Sequence, residues 1–337
     1  MGHDVQKSNL SLRGLEIFQL IARTGSARKV SKETGLSIST ISHHLRSVEE
    51  NLGVDLVDHS RRPMVLTPAG VMFARYVEEG LGIIKRGETA LLSGNLAQVR
   101  DLRLGIVDDF DTEVAPELAQ QLARAMPSCT FKQMTRPSLD IIRMVHEKKL
   151  DVGVATQPTE DTPGLIAIPL LRDPFVVAMP ASLAETPADL IAGRSPLPFL
   201  RYSENLLIGN LIEAQFRRMR LSLKNRFELE SNHSLLGMVA EGSGWAITTP
   251  ASFHRAKRFH DRIALHPFPR KRFSRMLSLF SNEYYPETTI EFIAETLRRS
   301  LSRHIVSPLV ERFPWLGTDF GIVPGREQGE AGETPEG

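Results

Sequence analysis

Ser39, Ser42, His43 and Arg46 recur at i, i+3, i+4 and i+7, a spacing that gathers them on one face of a helix. All four carry hydrogen-bonding groups on short or forked side chains, the chemistry that reads base edges in a DNA major groove. A second group suits a small ligand. Asp108 and Asp109, Ser138, Arg201-Tyr202-Ser203 and His233-Ser234 each stand where a strand reads as ending or a helix as beginning. Helix N-termini at such places offer free N–H groups, Arg201 can clamp a carboxylate or phosphate, and the two aspartates can receive an ammonium. The ligand so described is amphoteric or anionic, carboxylate-bearing molecules included. Blander roles exist for each residue: Ser138 and Ser234 as helix caps, the aspartates as solvated loop acids, Arg201 as a structural ion pair.

The polar face needs a scaffold, and the N-terminal sequence supplies one. Leu15, Phe18, Ile21 and Ala22 fall at helical spacing after a capping Ser11, and Gly25 can end that helix. Ser26 can cap a short helix over Ala27–Thr34, Gly35 makes the turn, and a third helix runs from Ser37 to Asn51. Its apolar stripe is Ile41, Leu45, Val48 and Leu52. Val54–Val57 and Met64–Leu66 then read as two short strands around the basic tip His59-Ser60-Arg61-Arg62-Pro63, a wing with cations for phosphate or minor-groove contact. Candidate DNA contacts are therefore Ser26, Arg28, Lys29, Ser37, Ser39, Thr40, Ser42, His43, Arg46, His59, Arg61 and Arg62. Met1–Leu66 holds nine Lys/Arg against seven Asp/Glu, a net +2, so sequence-independent affinity for DNA should be modest.

Beyond Thr67-Pro68, the residues Phe73, Val77, Leu81, Ile84, Glu88 and Leu91 share a helical face, apolar but for Glu88, which a partner helix or the helix's own domain can cover. A hinge follows over residues 93–100. Strand and helix patterns then alternate: Leu102–Val107, Glu113–Met126, Cys129–Met134, Ser138–Lys148 and Leu150–Ala155, which predicts a parallel sheet. A second set runs from Phe175–Met179 through Pro187–Ala192, Pro198–Leu200, Leu206–Met219, Arg226–Leu229 and Ser234–Glu241 to Trp245–Thr248, before a strand at Arg272–Phe280 and a helix at Glu287–Arg303.

Composition narrows the classes. Lys+Arg 41 against Asp+Glu 40 leaves a formal charge of +1, so bulk charge does not announce a partner. There is no long apolar run, and the polar Met1–Leu10 start lacks the pattern of an export signal, so a cytoplasmic protein that does not cross membranes is expected. The single cysteine, Cys129, permits no intrachain disulfide and reads as an inert thiol. His254, His260 and His266 lack zinc-site spacing and lie among Arg255, Lys257, Arg258 and Arg262, a solvated basic face rather than a metal site. Gly242-Ser243-Gly244 lacks the rest of a nucleotide fingerprint and reads as a turn. No nucleophile elbow or metal-binding histidine pair argues for an enzyme, and no cofactor is expected. Pro308–Trp315 can pack locally, while Gly317–Gly337 is too polar and glycine-rich for a core and reads as disordered.

Leu15-Glu16-Ile17-Phe18, Gly25-Ser26, Leu52-Gly53-Val54-Asp55-Leu56 and Leu66-Thr67-Pro68-Ala69-Gly70 resemble the signature of LysR-type transcriptional regulators, and the resemblance extends to about residue 303. It implies an α+β multidomain chain: a winged helix-turn-helix over residues 1–67, a linker and dimerisation helix over 68–92, the hinge, and a two-lobed α/β effector domain of periplasmic-binding-protein-like fold over 101–303. The first lobe would take residues 101–171 and 268–303, the second 172–267, with 304–337 a largely disordered extension. It further implies antiparallel pairing of linker helices, dimers of dimers, a roughly palindromic operator, a small-molecule effector between the lobes and RNA polymerase as a partner. The alternative is a small-molecule-binding protein or α/β enzyme without a regulatory role. This chain departs from the family where Gln and Arg are common on the recognition helix, having Ile38 and His43, and in the wing, where Val57-Asp58-His59 replaces the usual Phe-Glu-Arg.

Overall fold

The computed structural model describes residues 10–91, 99–223, 225–283 and 285–325, and the chain divides into two compact units on either side of Leu91. In the first unit, α1 (Leu12–Thr24) is capped by Ser11, which accepts from the Gly14 N–H, and ends at Gly25 with φ 62°. α2 (Ala27–Thr34) starts on Ser26 and ends at Gly35, and α3 (Ile38–Leu52) starts on Ser37 and ends at Gly53. Three helices, each opened by a serine and closed by a left-handed glycine, satisfy their exposed backbone groups locally. That leaves the apolar faces free to build one core from Ile17, Phe18, Ile21, Val30, Ile41, Leu45 and Val48.

The wing departs from expectation at its base. β1 is only Val57–Asp58, paired antiparallel with β2 (Val65–Leu66), and Val54 is exposed. The ladder starts late because the Leu56 and Val57 N–H groups donate to the buried Glu49 carboxylate at 2.9 and 3.2 Å. α4 (Pro68–Leu91) also differs. Val77 and Leu81 are buried, and Phe73 packs its ring 5.6 Å from Phe18, all within the reader's own core. Of the two coverings open to this stripe, the reader's own core takes Phe73, Val77 and Leu81. Exposed instead are Met72, Tyr76, Ile83 and Ile84. The side chain of Leu91 and the stretch 92–98, most of the expected hinge, lie outside the described residues.

The second unit holds two sheets-and-helices layers. The first contains β3 (Asp101–Ile106), α5 (Val114–Ala125), β4 (Thr130–Thr135), α6 (Ser138–His146), β5 (Val152–Thr156) and β6 (Leu165–Pro174), to which the chain later returns. The second contains β7 (Val176–Pro180), α7 (Pro187–Ile191), β8 (Phe199–Tyr202), α8 (Leu207–Met219), β9 (Asn225–Leu229), α9 (Asn232–Ala240), β10 (Ala246–Thr248), α10 (Pro250–Arg255) and β11 (Ile263–Pro267). The return brings β12 (Ser274–Asn282), α11 (Glu287–Leu301), α12 (Ser307–Arg312) and β13 (Gly321–Ile322).

The first sheet has the order β13-β6-β12-β5-β3-β4. Only β3, β4 and β5 are mutually parallel; β12 runs antiparallel to β5 and β6, and β13 antiparallel to β6, so the sheet is mixed rather than parallel. The missing partner in sequence was β6, which carries Pro169 and Arg172-Asp173 against a simple strand pattern; Pro169 sits at a bulge, where β12 shifts register between Leu277 and Ser278. This sheet keeps β6 as far as Pro174, three residues past the expected lobe boundary. The second layer pairs β10-β7-β11 antiparallel and β8-β9 parallel, linked by a bridge between Phe199 and Trp245.

The C-terminal residues are ordered further than their composition suggested. Leu309, Leu316 and Phe320 are buried, β13 covers the β6 edge, and the Val323 N–H donates to Leu170 O at 2.9 Å. Three well-spaced apolar side chains and one free strand edge suffice to order a segment rich in glycine and proline. The rest of the tail, 326–337, lies outside the described residues.

Candidate functional site

On α3 the outward face presents Ser39, His43 and Arg46 exposed and Ser42 half-buried, opposite the buried Ile41, Leu45 and Val48. Ser37 Oγ lies 2.7 Å from Ser39 Oγ and Thr40 Oγ1 and accepts from the Thr40 N–H at 3.1 Å, so the first-turn hydroxyls bond one another. Ser26 caps α2, whose Arg28 and Lys29 are exposed. The wing cations hold the wing together: Arg61 Nε is 3.0 Å from Asp58, Arg62 donates to the carbonyls of His59 and Arg61 at 2.8 Å, and His59 Nε2 lies 2.9 Å from Glu49. Glu49 is the residue this region's sequence reading missed. A carboxylate one position from an apolar stripe reads as solvated until the chain folds back onto it.

The second unit contains a cavity of about 290 Å³ lined by Val107, Asp108 and Asp109 after β3, Thr135 to Ser138 between β4 and α6, Thr156 closing β5, Leu206 to Ile208 opening α8, Glu230 to Asn232 opening α9, and Arg255 and Arg275. Three helix N-termini meet there. α9 is capped by Ser231, which accepts from the Ser234 N–H, whereas α6 follows Pro137 and α8 follows Leu206 with no side-chain cap. Uncapped first-turn amides and the positive end of the helix dipole favour an anion.

Beneath the cavity Arg275 is the keystone. Its guanidinium lies 2.8 Å from both Asp109 and Asp173 and donates to Thr249 Oγ1 at 2.9 Å, with all three ionic side chains almost fully buried. Asp109 also accepts from Ser252 Oγ at 2.8 Å and Asn232 Nδ2 at 3.0 Å. Burial pushes the Asp173 carboxyl up against the pull of Arg275; burial pulls Arg275 down, but its two aspartates outweigh that and hold it above its ordinary value. Arg255 is committed to Asp111 by two 3.0 Å bonds. Asp108 makes no ion pair among the described residues and accepts only from Asn232, at 3.3 and 3.4 Å. Burial, then the neighbouring Asp109, push its carboxyl up to about 6.

Asp108, Asp109 and Ser138 therefore line the cavity, while the other expected ligand residues do not. Ser138 Oγ accepts from the Thr156 N–H at 3.1 Å. Arg201 is spent on an ion pair with Glu213 and a bond to Leu223 O at 3.2 Å, its guanidinium over the Phe199 ring. Tyr202 is buried against Thr248 Oγ1 at 3.0 Å, and Ser203 is buried with its N–H on Leu229 O. His233 packs tilted against Phe259, ring centroids 4.9 Å apart, and Ser234 is an exposed first-turn residue of α9. The cavity recruits Arg136, Asn232 and Arg275 instead. His254 is also not solvated: it is buried, 2.7 Å from Glu113.

Sequence comparison now separates this arrangement from others of like shape. The model of the bacterial regulatory helix-turn-helix protein, lysR family, matches residues 12–71, and that of the LysR substrate binding domain matches residues 97–301. The chain belongs to the LysR family. It is a DNA-binding transcriptional regulator of that family, with a helix-turn-helix reader and an effector-binding domain. The HTH-type transcriptional regulator BbuR of Bordetella bronchiseptica is 30% identical over 243 residues, 70% of this chain and 73% of that protein. A probable hydrogen peroxide-inducible genes activator of Mycobacterium xenopi is 27% identical over 188 residues, 56% of this chain and 96% of that one. Among solved structures, an OxyR mutant of Corynebacterium glutamicum superimposes with a TM-score of 0.65 at 18% identity, over 88% of this chain and 94% of that one; it shares the fold. Within the LysR frame, α3 is the second helix of the helix-turn-helix, and the cavity lies inside the matched substrate-binding segment.

Proposed function

We propose that this regulator couples operator binding to a small amphoteric effector, held without any catalytic step in the cavity between β3, β5 and the starts of α6, α8 and α9. One observation carries the reading: uncapped helix N-termini and Arg136 face the same 290 Å³ space as Asp108, a carboxylate in no ion pair among the described residues, the nearby Arg255 and Arg275 being bonded to other aspartates. An acidic group of the effector meets the amides and Arg136; its ammonium meets Asp108, with Glu230 beside it. Leu206, Leu207 and Ile208 supply an apolar wall, as small-molecule pockets generally have.

Thermal shift and calorimetry with free amino acids, their N-acetyl derivatives and their carboxyl amides test this. Only the free forms should bind. Because a cation favours ionised Asp108, affinity should rise as pH rises to about 6 and level off above it. Asp108→Asn should bind more weakly and lose that dependence. Dicarboxylates binding equally to wild type and Asp108→Asn would replace the amphoteric effector by a purely anionic one.

On the DNA side, we assign the exposed face of α3 to the major groove and Arg28, Lys29 and the wing to the backbone. Replacing Arg46 or His43 by alanine should weaken operator binding roughly 5- to 100-fold while leaving effector affinity and self-association unchanged. Undiminished operator affinity in both variants, measured by fluorescence anisotropy, would overturn the assignment. Self-association through α4 is supported by its apolar side chains Met72, Tyr76, Ile83 and Ile84, which are exposed among the described residues; family membership supports assembly as dimers of dimers on a roughly palindromic operator. Family membership supports RNA polymerase as a further partner and a cytoplasmic location. No helix among the described residues is long and apolar enough to cross a membrane.

A peroxide response of the kind named for the Mycobacterium xenopi relative has little support in this chain. The chain has one cysteine, which excludes an intrachain disulfide. Burial, with Asp101 and Asp151 adding to it, pushes the Cys129 thiol up to about 12, leaving almost no reactive thiolate near neutrality.

A further inference from the structure

Of the five large apolar residues on α3, four serve the reader's core: Ile41, Leu45 and Val48 are buried and Leu52 packs against them. Ile38 does not. It is 46% exposed in the first turn, outside that core. One turn before Ser42, it flanks the polar face at about 40° around the helix axis from that serine. Its neighbours Ser37, Ser39 and Thr40 have turned their hydroxyls toward one another, so the group that projects unengaged from this turn is hydrocarbon. First-turn residues of a recognition helix are the ones that reach base edges. The one apolar feature a base pair shows in the major groove is the C5-methyl of thymine.

We propose that Ile38 is a specificity-determining residue that selects a thymine in each half-site by packing on its C5-methyl group. The proposal rests on the assignment of the outer face of α3 to the major groove. It explains why an exposed isoleucine is tolerated: the side chain is dehydrated on binding, with no buried hydrogen-bonding group left unpaired. Water-to-apolar transfer of one methyl corresponds to about four-fold in affinity, and a two-fold-symmetric complex contains the contact twice.

Duplexes selected from a random library by the full-length protein supply the probe. Each thymine is then replaced in turn by deoxyuridine, which deletes only the methyl, and binding is measured by anisotropy for wild type, Ile38→Ala, Ile38→Gln and Arg46→Ala. One symmetry-related pair of thymines should respond, losing about four-fold per half-site with wild type and nothing with Ile38→Ala. Ile38→Gln, which can bond adenine in two places, should shift the preferred base at that position from thymine to adenine. If no deoxyuridine replacement weakens wild type, or if the same thymines respond equally in Ile38→Ala, the proposal fails; a large loss in Arg46→Ala would then show that the helix assignment still stands. If neither Ile38 nor Arg46 variants change binding, the assignment of α3 fails with it. Ile38 is exposed, so these variants should keep the wild-type melting temperature.

Discussion

Arg275→Met should destabilise the effector domain by about 3–5 kcal/mol at neutral pH, the typical result of removing one member of a buried ion pair. The side chain is 4% exposed and its partners Asp109 and Asp173 are 2% and 0% exposed. Methionine fills similar space but leaves two carboxylates in a low dielectric with only hydroxyl and amide partners. Because the whole stability of a domain is about 5–15 kcal/mol, such a loss is large. The deficit should depend on pH. A carboxyl whose folded pKa lies above its unfolded value favours the folded state more as pH falls, and burial already pushes Asp173 that way. Urea unfolding at pH 7.5 and 5.5 should therefore show a smaller gap between variant and wild type at the lower pH. A wild-type midpoint for Arg275→Met at pH 7.5 would mean that the triad contributes nothing to stability.

Gly70→Ala should be nearly as damaging, and in the reader. A Cβ at Gly70 would stand 1.9 Å from the carbonyl oxygen of Leu56 and 2.9 Å from its carbon, a backbone contact that no rotamer change can relieve. That carbonyl already accepts from the Thr67 N–H at 3.0 Å, and Thr67 Oγ1 accepts from the Gly70 N–H at 3.0 Å, so α4 is fastened to the approach of β1 at this point. Pushing the helix away pulls Val77 and Leu81 out of the core they share with Phe18 and Ile21. Overpacking of this kind costs about 1–3 kcal/mol and sometimes more. The reader's melting temperature should fall, and operator affinity with it, while effector binding measured calorimetrically stays at the wild-type value. An unchanged melting temperature would show that α4 is not held where Gly70 places it.

The local chemistry of the reader was legible because it is written in neighbours. Ser11, Ser26 and Ser37 as caps, and Gly25, Gly35 and Gly53 as left-handed ends, act within four residues of themselves, and an apolar period of 3.6 names the inward face. Even here the sequence left two alternatives open where one apolar stripe could be covered in two ways. Phe73, Val77 and Leu81 form a stripe that any apolar surface can cover, and periodicity does not say whether the covering surface is the reader or a second chain.

The candidate effector site was half legible for the same reason. Asp108, Asp109 and Ser138 follow strands or open helices, and the rule that ligands settle at those ends picks out three residues that line the cavity. Arg201 follows the same rule and is lost to Glu213, one helix away. Arg275 breaks the rule, since it sits inside a strand and joins Asp109 and Asp173 from 166 and 102 residues away. A lone arginine in the apolar run of β12 was the available signal: a charge in such a strand must be paired or must face water.

Sequence by itself determined a capped three-helix reader, a wing and an alternating α/β domain, because caps, turns and periodicity are local and carry their own chemistry; the LysR family came from resemblance and was shown by the family models. Tertiary structure alone decided which charges are spent and which are free. It tied Arg201, Arg255 and Arg275 to carboxylates and left Asp108 facing an open cavity. The sign and reach of a charge depend on what folding brings within about 4 Å of it, at an effective dielectric well below that of water, and no spacing along the chain encodes that neighbour.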